Sequence, residues 1–388
     1  MEGCKVKFLI AGDFCVRNYT EEQLTEEFMN KVAEQAKELV EKHDLSMFGN
    51  ETVYTYTGKP IVKSGPPLFS LHKSLDIIKK MGFDIAACAN NHIGDQGTEG
   101  VLETIDFLKK SGLEVVGAGE NLSDAVKPLY IEKCGIKLAI INCAEHEFGF
   151  AEKNKPGGAP MDFYDTGHLV MDAKKNADKV VVYIHGGNEF NPVPRPGMIK
   201  FCKHLAECGA DAVIVAHAHC PQGMEIHNDV PIYYGLGNFY FQTSSNENMW
   251  KYGYTVSLNI EKDAPITVEI NPHKQIPEGV FIMEGEDKEY FIKYFEQLCR
   301  LFKDEEMYEG ITNAWGVDYD RISSGWFEDR TMTDPQGEFA LFIRNTYTCE
   351  SHAELMALYH KNRCEGNFNE ETEKYLDIIQ RLKNYEIL

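Results

Sequence analysis

The stretch AACANNHIGDQGTEG, Ala86–Gly100, places two Asn, a His, an Asp and three Gly directly behind an apolar run. The run FDIAACA reads as the end of a buried strand. TEGVLETIDFLKK reads as an amphipathic helix from Thr98, with Val101, Leu102, Ile105 and Leu108 on its apolar face and Gly112 as its stop. A strand-to-helix corner carrying Asn90, Asn91 and His92 is either a turn with polar filler or one edge of an active site.

Working outward, strand-like runs alternate with helical patterns. KVKFLIAG leads to Asp13. A helix follows, with Thr20 and Gln23 in capping-box spacing and an apolar stripe of Leu24, Phe28, Val32, Ala36 and Leu39. LSMFG is a short strand ending near Glu51, and HKSLDIIKKMG is a helix stopped by Gly82. LEVVGAG, KVVVYIHGG, DAVIVAHAH and PIYYGLGNFYF are further strands, and MIKFCKHLAECG is a helix among them. PLYIEKCGIKLAIINCAE reads as a hairpin across Cys134-Gly135, and YTVSLNIEKDAPITVEINPHKQ as an antiparallel hairpin closing a sheet. This alternation predicts an α/β architecture with helices on both faces of the sheet. From about Pro277 the patterns are helical only. The division is therefore an α/β unit over 1–275 and a helical extension over 276–388.

The chain has 388 residues, 43% of them hydrophobic, enough for one large domain or two. Asp and Glu number 61 against 39 Lys and Arg, a formal charge of −22. Such a surface repels nucleic acid and anionic lipid, so neither is an expected partner. The 11 Cys are odd in number and contain no CxxC pair. Those in or beside apolar runs (Cys4, Cys15, Cys88, Cys134, Cys143 and Cys202) read mostly as reduced core thiols. The N-terminal apolar run FLIA is too short for a signal peptide or a membrane span. The expected location is the cytoplasm, or outside the cell if a leader was removed.

The chemistry gathers where strands end. Asp13, Glu51, Asn91 with His92, His185, and His217 with His219 each stand at or just past the end of an apolar run. In an α/β sheet the carboxyl ends of parallel strands line one edge, where ligands bind. Each residue alone has an ordinary explanation: a turn, a solvated carboxylate, a hydrogen-bonded core histidine. His217-Ala218-His219 is harder to explain so, because at strand spacing both imidazoles share a face. The donors are imidazole, carboxylate and amide, which suit Mn, Fe, Zn or Mg and argue against Fe–S or Cu(I). There are enough for two divalent ions, and two ions about 3.5–4 Å apart share a bridging carboxylate and clamp both oxygens of a displacement.

AGDFCVR, ANNHIGDQGTEGVLETIDFLKKSGLEVVGAGEN, YIHGGNEF and GADAVIVAHAHCPQGMEIHNDVPIYYGLGNFYFQ together resemble the CapA family of poly-γ-glutamate capsule-synthesis proteins, in order from about Lys5 to Gln242. That family in turn resembles the calcineurin-like dinuclear metallophosphatases. The resemblance implies a four-layered α/β/β/α sandwich with metals at the rim. Asp13 would bind the first metal and Glu51 would bridge both. Asn91, His185 and His217 would hold the second metal, and His219 would return to the first. His92 would protonate the leaving oxygen or stabilise developing charge. Asp95 would orient His92, or else cap the helix before Thr98. Two departures stand out. Cys15 occupies a position that is His in the phosphatase pattern, so it either ligates the first metal or is a core thiol. Gly49-Asn50-Glu51 stands where the family often shows Asn-Leu-Glu.

Smaller candidates surround the rim. Glu189 follows HGGN, as an acidic residue does in the family. Arg195 is a cation in a Pro-rich loop, suited to a phosphate or carboxylate. Asn238 is placed to support the site from the last strand, and Arg17 to face substrate anions. His146 follows a strand and borders the rim, whereas His352 and the remaining His carry no ligand spacing. Two functions fit. One is a metal-dependent hydrolase, phosphoesterase-like, acting through metal-bound hydroxide with His92 as general acid. The other is a non-catalytic, accessory metal protein of poly-γ-glutamate or capsule polymer synthesis or export. In either case the partner is an anionic small molecule or polymer.

Overall fold

Along the strand Lys5–Cys15, Val6, Phe8 and Ile10 enter one core cluster while Leu9 and Ala11 enter another. That period of two is what a strand shows when both faces of its sheet are covered. The computed structural model describes residues 4–242, 248–328, 338–366 and 370–388. From edge to edge, the larger sheet runs Gly279–Ile282, Thr267–Ile276, Tyr252–Glu261, Lys5–Cys15, Leu45–Asn50, Ile85–Ala87 and Glu114–Val116, and Asn238–Phe241 pairs off Lys5–Cys15. The second sheet runs Met224–His227, Val230–Tyr233, Ala212–Ala216, Lys179–His185, Ile136–Ala144 and Leu129–Lys133.

Val6, Phe8, Met47 and Ile85 of the first sheet pack on Leu138, Val181 and Ile214 of the second. The outer face of the first sheet carries Glu26–Val40, Leu75–Met81 and Gly97–Lys110 through Met29, Val32, Ile78, Val101 and Leu108. The outer face of the second carries Phe163–Asn176 and Pro196–Glu207. The chain is therefore a four-layered α/β/β/α sandwich, the expected architecture. Each fully buried aliphatic or aromatic side chain in these three cores is worth about 1.5–3 kcal/mol. Among the described residues, no helix is long and apolar enough to cross a membrane.

The helices after the sheet join this same core. Tyr294 and Leu298 of Gly285–Leu301, Leu355 of Glu350–Glu365 and Ile379 of Glu370–Lys383 belong to one cluster with Val182, Ile184 and Val215. Residue 275 lies inside the strand Thr267–Ile276, and Gly279–Ile282 adds one more strand beyond it.

Several local expectations are corrected. Thr20 and Gln23 do make the reciprocal capping-box bonds, at 2.8 and 3.3 Å, but on an isolated turn. The helix starts at Glu26, because Thr25 takes the Phe28 N–H and two acidic residues follow it. Leu102, expected in the core, is 38% exposed; Thr104 takes the buried position instead and hydrogen-bonds the Tyr54 backbone. PIYYGLGNFYF is two strands in two sheets, Val230–Tyr233 and Asn238–Phe241, because Gly237 turns the chain at φ 72°. All 11 cysteines are free; Cys15, Cys88, Cys143 and Cys202 are buried as expected, but Cys4 and Cys134 are exposed.

Candidate metal centre

The site follows from strand polarity. Lys5–Cys15, Leu45–Asn50 and Ile85–Ala87 are mutually parallel in one sheet, as are Lys179–His185 and Ala212–Ala216 in the other. Their carboxyl ends meet at one rim. Glu51 directly follows its strand, with its N–H on Phe14 O at 3.1 Å. Asp13 lies within its strand rather than at the end, where the register with Asn238–Phe241 slips between Asp13 and Phe14. His185 closes its strand.

His217 and His219 lie past the strand end at Ala216, not on a common strand face as their spacing suggests. Both have positive φ, 98° and 55°, a strained conformation for a residue with a Cβ. The His217 N–H donates to Asp13 Oδ2 at 3.0 Å, which holds the turn. The His219 ring sets Nδ1 2.9 Å from Asn238 Oδ1.

At the corner 90–95, Asn90 is the turn residue. Its Oδ1 accepts the His92 N–H at 2.9 Å and its Nδ2 donates to Asn50 O at 2.7 Å. Gly94 lies against Gly149, and a Cβ on Gly94 would stand 2.2 Å from the Gly149 Cα. This close approach leaves Asn91 and His92 facing the rim.

Two groups of donors result. Glu51, His185 and His217 present ligand atoms within 4.8 Å of one another, and so do Asp13, Glu51 and His219. Glu51 is common to both, as a bridging carboxylate must be. Asn91 Oδ1 and His217 Nδ1 each lie 3.0 Å from His185 Nε2, and Glu51 Oε1 is 3.7 Å from that nitrogen. His219 Nε2 lies 3.6 Å from Glu51 Oε1, and His185 Nδ1 3.5 Å from Asp13 Oδ1. The structure thus brings together Asp13, Glu51, Asn91, His185, His217 and His219.

The electrostatics suit a cation. Glu51 is fully buried and neither of its carboxylate oxygens has a hydrogen bond; Asp13 Oδ1 is likewise without one. An unpaired buried carboxylate costs several kcal/mol. Burial, and then the charge of Asp13, push Glu51 well above its ordinary range, and burial raises Asp13 as well. Burial takes His185 and His219 down to about 3 and His217 to about 4. Three neutral imidazoles facing unpaired carboxylates are a ligand set for a divalent ion.

His92 sits beside this set, with Nε2 3.8 Å from Glu51 Oε1. Its Nδ1 is 2.6 Å from Asp95 Oδ2. Asp95 therefore orients His92; it does not cap the helix, whose N-cap is Gln96. Lys63, which carried no sequence signal, completes the arrangement. Its Nζ reaches Asp95 Oδ1 at 2.7 Å and Asn91 O at 2.9 Å, and the pair is buried. Burial and the Lys63 charge lower His92.

The remaining candidates fall in neither donor group. Arg195 is buried between Glu145 and Glu354, so its guanidinium is neutralised rather than offered to a substrate. Asn238 is fully buried behind His219 and supports that ring instead of touching a ligand. Glu189 as a residue is exposed, but desolvation of its carboxyl and the nearby Glu147 and Asp13 push it up to about 7, and Arg17 is half-buried. Cys15 packs with Leu68, Phe241 and Trp250, and burial pushes its thiol to about 12. It falls in none of the donor groups found among the described residues.

His146 is paired with Glu350 at 2.7 Å. His352 lies 3.6 Å from Glu147, contrary to its expected bystander role. Burial would raise Glu147, but its surroundings hold it at about 2. The nearby His352, His217 and Lys63 and a hydrogen bond from the Asn91 side chain outweigh the burial. No sequence pattern forecast this group, because residues 350–354 meet the rim across some two hundred positions of chain.

Comparison with known proteins fits this geometry. Residues 7–243 match the model of the family described as "Bacterial capsule synthesis protein PGA_cap". The PGA biosynthesis protein CapA of Bacillus subtilis (strain 168) is 32% identical over 214 residues, 54% of this chain and 56% of that protein. The capsule biosynthesis protein CapA of Bacillus anthracis is 32% identical over 180 residues, 45% of this chain and 44% of that protein. The chain thus spans about half the length of these relatives. Among solved structures, a hypothetical protein from Thermus thermophilus overlays with a TM-score of 0.46 at 13% identity, over 70% of this chain and 100% of that one. Since the matched span covers more than half of the sequence and contains all six rim donors, the chain belongs to the bacterial capsule synthesis protein PGA_cap family.

Proposed function

We propose that this chain is a metal-dependent hydrolase with two divalent ions, Mn, Fe, Zn or Mg, acting on an anionic phosphoester or a related tetrahedral or amide centre. Glu51, buried, unpaired and shared by both donor groups, supports the ions, and the observation that carries hydrolysis is His92, held on Asp95 with Nε2 toward Glu51. Asp13, Glu51 and His219 would hold one ion; Glu51, Asn91, His185 and His217 the other. Bound there, the ions would supply Lewis-acid polarisation and acidify a water.

The chain's own contribution is His92. With Nδ1–H directed at Asp95, its Nε2 accepts a proton when neutral and donates one when charged. Lys63 fixes Asp95 and the Asn91 carbonyl, so ring and ligand move as a unit. An anionic substrate beside His92 offsets the Lys63 charge and favours the protonated ring, which suits a leaving oxygen.

The test combines metal content per chain with turnover of phosphomonoesters and phosphodiesters by wild type and His92→Ala. The expected loss is about 10²–10⁴-fold with metal retained. A wild type fully loaded with metal that turns over nothing, together with a His92→Ala variant that binds ligands equally well, would sink the enzyme reading. One ion per chain would remove the two-ion version alone.

A second reading is favoured by the relatives' names, which refer to PGA and capsule biosynthesis. In it, the same ions hold the carboxylates of an anionic polymer without cutting it.

A further inference from the structure

Beside the rim, outside the six donors already described, lies a second set of ligating side chains. Cys349 caps the helix Glu350–Glu365, and His352 stands one turn on, a Cys-x-x-His spacing that puts both on one side of the first turn. Facing them is Glu147, from the loop after the strand Ile136–Ala144. The Cys349 sulfur, a His352 ring nitrogen and a Glu147 carboxylate oxygen all lie within 4.8 Å of one another. Glu147 Oε1 is 3.6 Å from His352 Nε2 and 3.9 Å from Cys349 Sγ. Glu145 Oε2 is 3.6 Å from the same sulfur, in position for a fourth ligand.

A second observation points the same way. Asn345 is 4% exposed, its amide nitrogen is 3.3 Å from His352 Nδ1, and its Oδ1 has no hydrogen-bond partner. A half-turn of that amide places the unpartnered oxygen on His352 Nδ1, where it accepts the ring N–H. The Nε2 lone pair then faces Glu147 and Cys349. With the ring neutral, that lone pair calls for a cation between it and the carboxylate, a place otherwise taken by a second ring proton; a carbonyl on the far nitrogen is the usual support for a metal-bound histidine.

We propose that Cys349, His352 and Glu147, with Glu145 as the adjoining carboxylate, form a further metal site selective for zinc. The Cys349 thiolate and the Glu147 carboxylate balance the charge of a divalent ion, the charge of Glu145 being already met by Arg195, and the sulfur–imidazole–carboxylate set suits zinc rather than magnesium or calcium. The ion would pin the first turn of the helix Glu350–Glu365 to the loop bearing Glu145 and Glu147. Glu147 also hydrogen-bonds the Asn91 side chain, so this staple borders the rim directly. Both cysteine and histidine lie beyond residue 243, outside the family match. The proposal does not rest on the hydrolase reading.

The test uses the full chain, stripped with chelator and reloaded with Co²⁺ or Zn²⁺. The rim holds no thiolate among its donors, so a near-ultraviolet sulfur-to-cobalt charge-transfer band reports the new site once the exposed thiols Cys4, Cys134 and Cys364 are replaced by Ser in every protein compared. The band is expected in wild type and in Glu51→Gln, and is expected to vanish in Cys349→Ser. Zinc analysis should give about one ion per chain fewer in Cys349→Ser and in His352→Gln than in wild type. A cobalt-loaded wild type without the band, or a band that survives in Cys349→Ser, would overturn the assignment. If Cys349→Ser does not fold, the zinc content of His352→Gln decides instead: an unchanged count overturns the assignment.

Discussion

Replacing Glu51 with Gln should move the stability of the metal-free and the metal-loaded protein in opposite directions. In the metal-free chain the carboxyl is fully buried with no hydrogen bond to either oxygen, and burial and Asp13 push it well above 4.5. A raised carboxyl costs nothing below about 4.5, where folded and unfolded chains are both protonated. Its cost grows as pH rises from there toward the folded value. At about 1.4 kcal/mol per pH unit, the gap between 4.5 and neutrality caps that cost near ~3 kcal/mol. The Gln amide carries no charge but is itself left unpaired, which returns about 1–2 kcal/mol of the gain. Metal-free Glu51→Gln should therefore melt ~1–3 °C higher at neutral pH and lose the downward slope with pH. With metal at a hundred times Kd the order reverses. Wild type gains about 2.7 kcal/mol per filled site, and an amide with one oxygen cannot bridge two ions. Thermal melts of both proteins, with chelator and with Mn²⁺ or Zn²⁺, across about pH 5–8 read all four states. An equal metal-induced rise in the two proteins, or a lower melting point for the metal-free variant throughout, refutes the reasoning.

Lys63→Met leaves Asp95 buried without its cation and should cost about 3–5 kcal/mol in denaturant unfolding, whereas Lys63→Met with Asp95→Asn should cost much less. Gly94→Ala drives a Cβ into the Gly149 backbone, which has no room to yield; calorimetry should show a loss of about 1–3 kcal/mol, and metal affinity should fall as the corner shifts. His146 is raised above 6.5 by its hydrogen bond to Glu350, so that pair stabilises fully below about pH 6.5 and fades as pH rises through the folded value. The melting gap between wild type and Glu350→Gln should accordingly be widest in mild acid and close toward alkaline pH.

How much of this was legible in the sequence depended on the range of the interaction. Asp13, Glu51, Asn91, His185 and the His217–His219 pair could be placed at one rim because parallel strands share a carboxyl edge whatever their order in the sheet. The route of the last two was misread: alternation suggested one strand face, but the strand stops at Ala216 and two positive-φ residues bend the chain into the site. Lys63 was invisible because it sits in a Gly- and Pro-containing loop without periodicity, and its partner Asp95 is 32 residues away. Arg195 was legible as a cation near the rim but not as a neutralised one, since Glu354 reaches it from 159 residues on. The same range hid His352. Local rules located the capping box at Thr20 correctly, yet could not tell a capped turn from a capped helix.

Whether the rim cuts its ligand or only holds it turns on where the structure accepts instability. The positive φ values of His217 and His219 each cost about 1–3 kcal/mol, and the unpaired Glu51 adds to that. A bound cation would repay all three, so they argue for metal without distinguishing the two functions. The buried group His92–Asp95–Lys63 is different, because none of its side chains is among the six donors and its one tie to them is Lys63 on the Asn91 backbone carbonyl, which leaves His92 and Asp95 without a task in a holder of ions. The double change His92→Phe, Asp95→Asn, which keeps Lys63 on Asn91 and an acceptor for the Leu68 N–H, should then leave metal content and folding near wild type while abolishing turnover. If the double variant instead loses its metal, the pair serves the ions and the catalytic assignment of His92 falls with it.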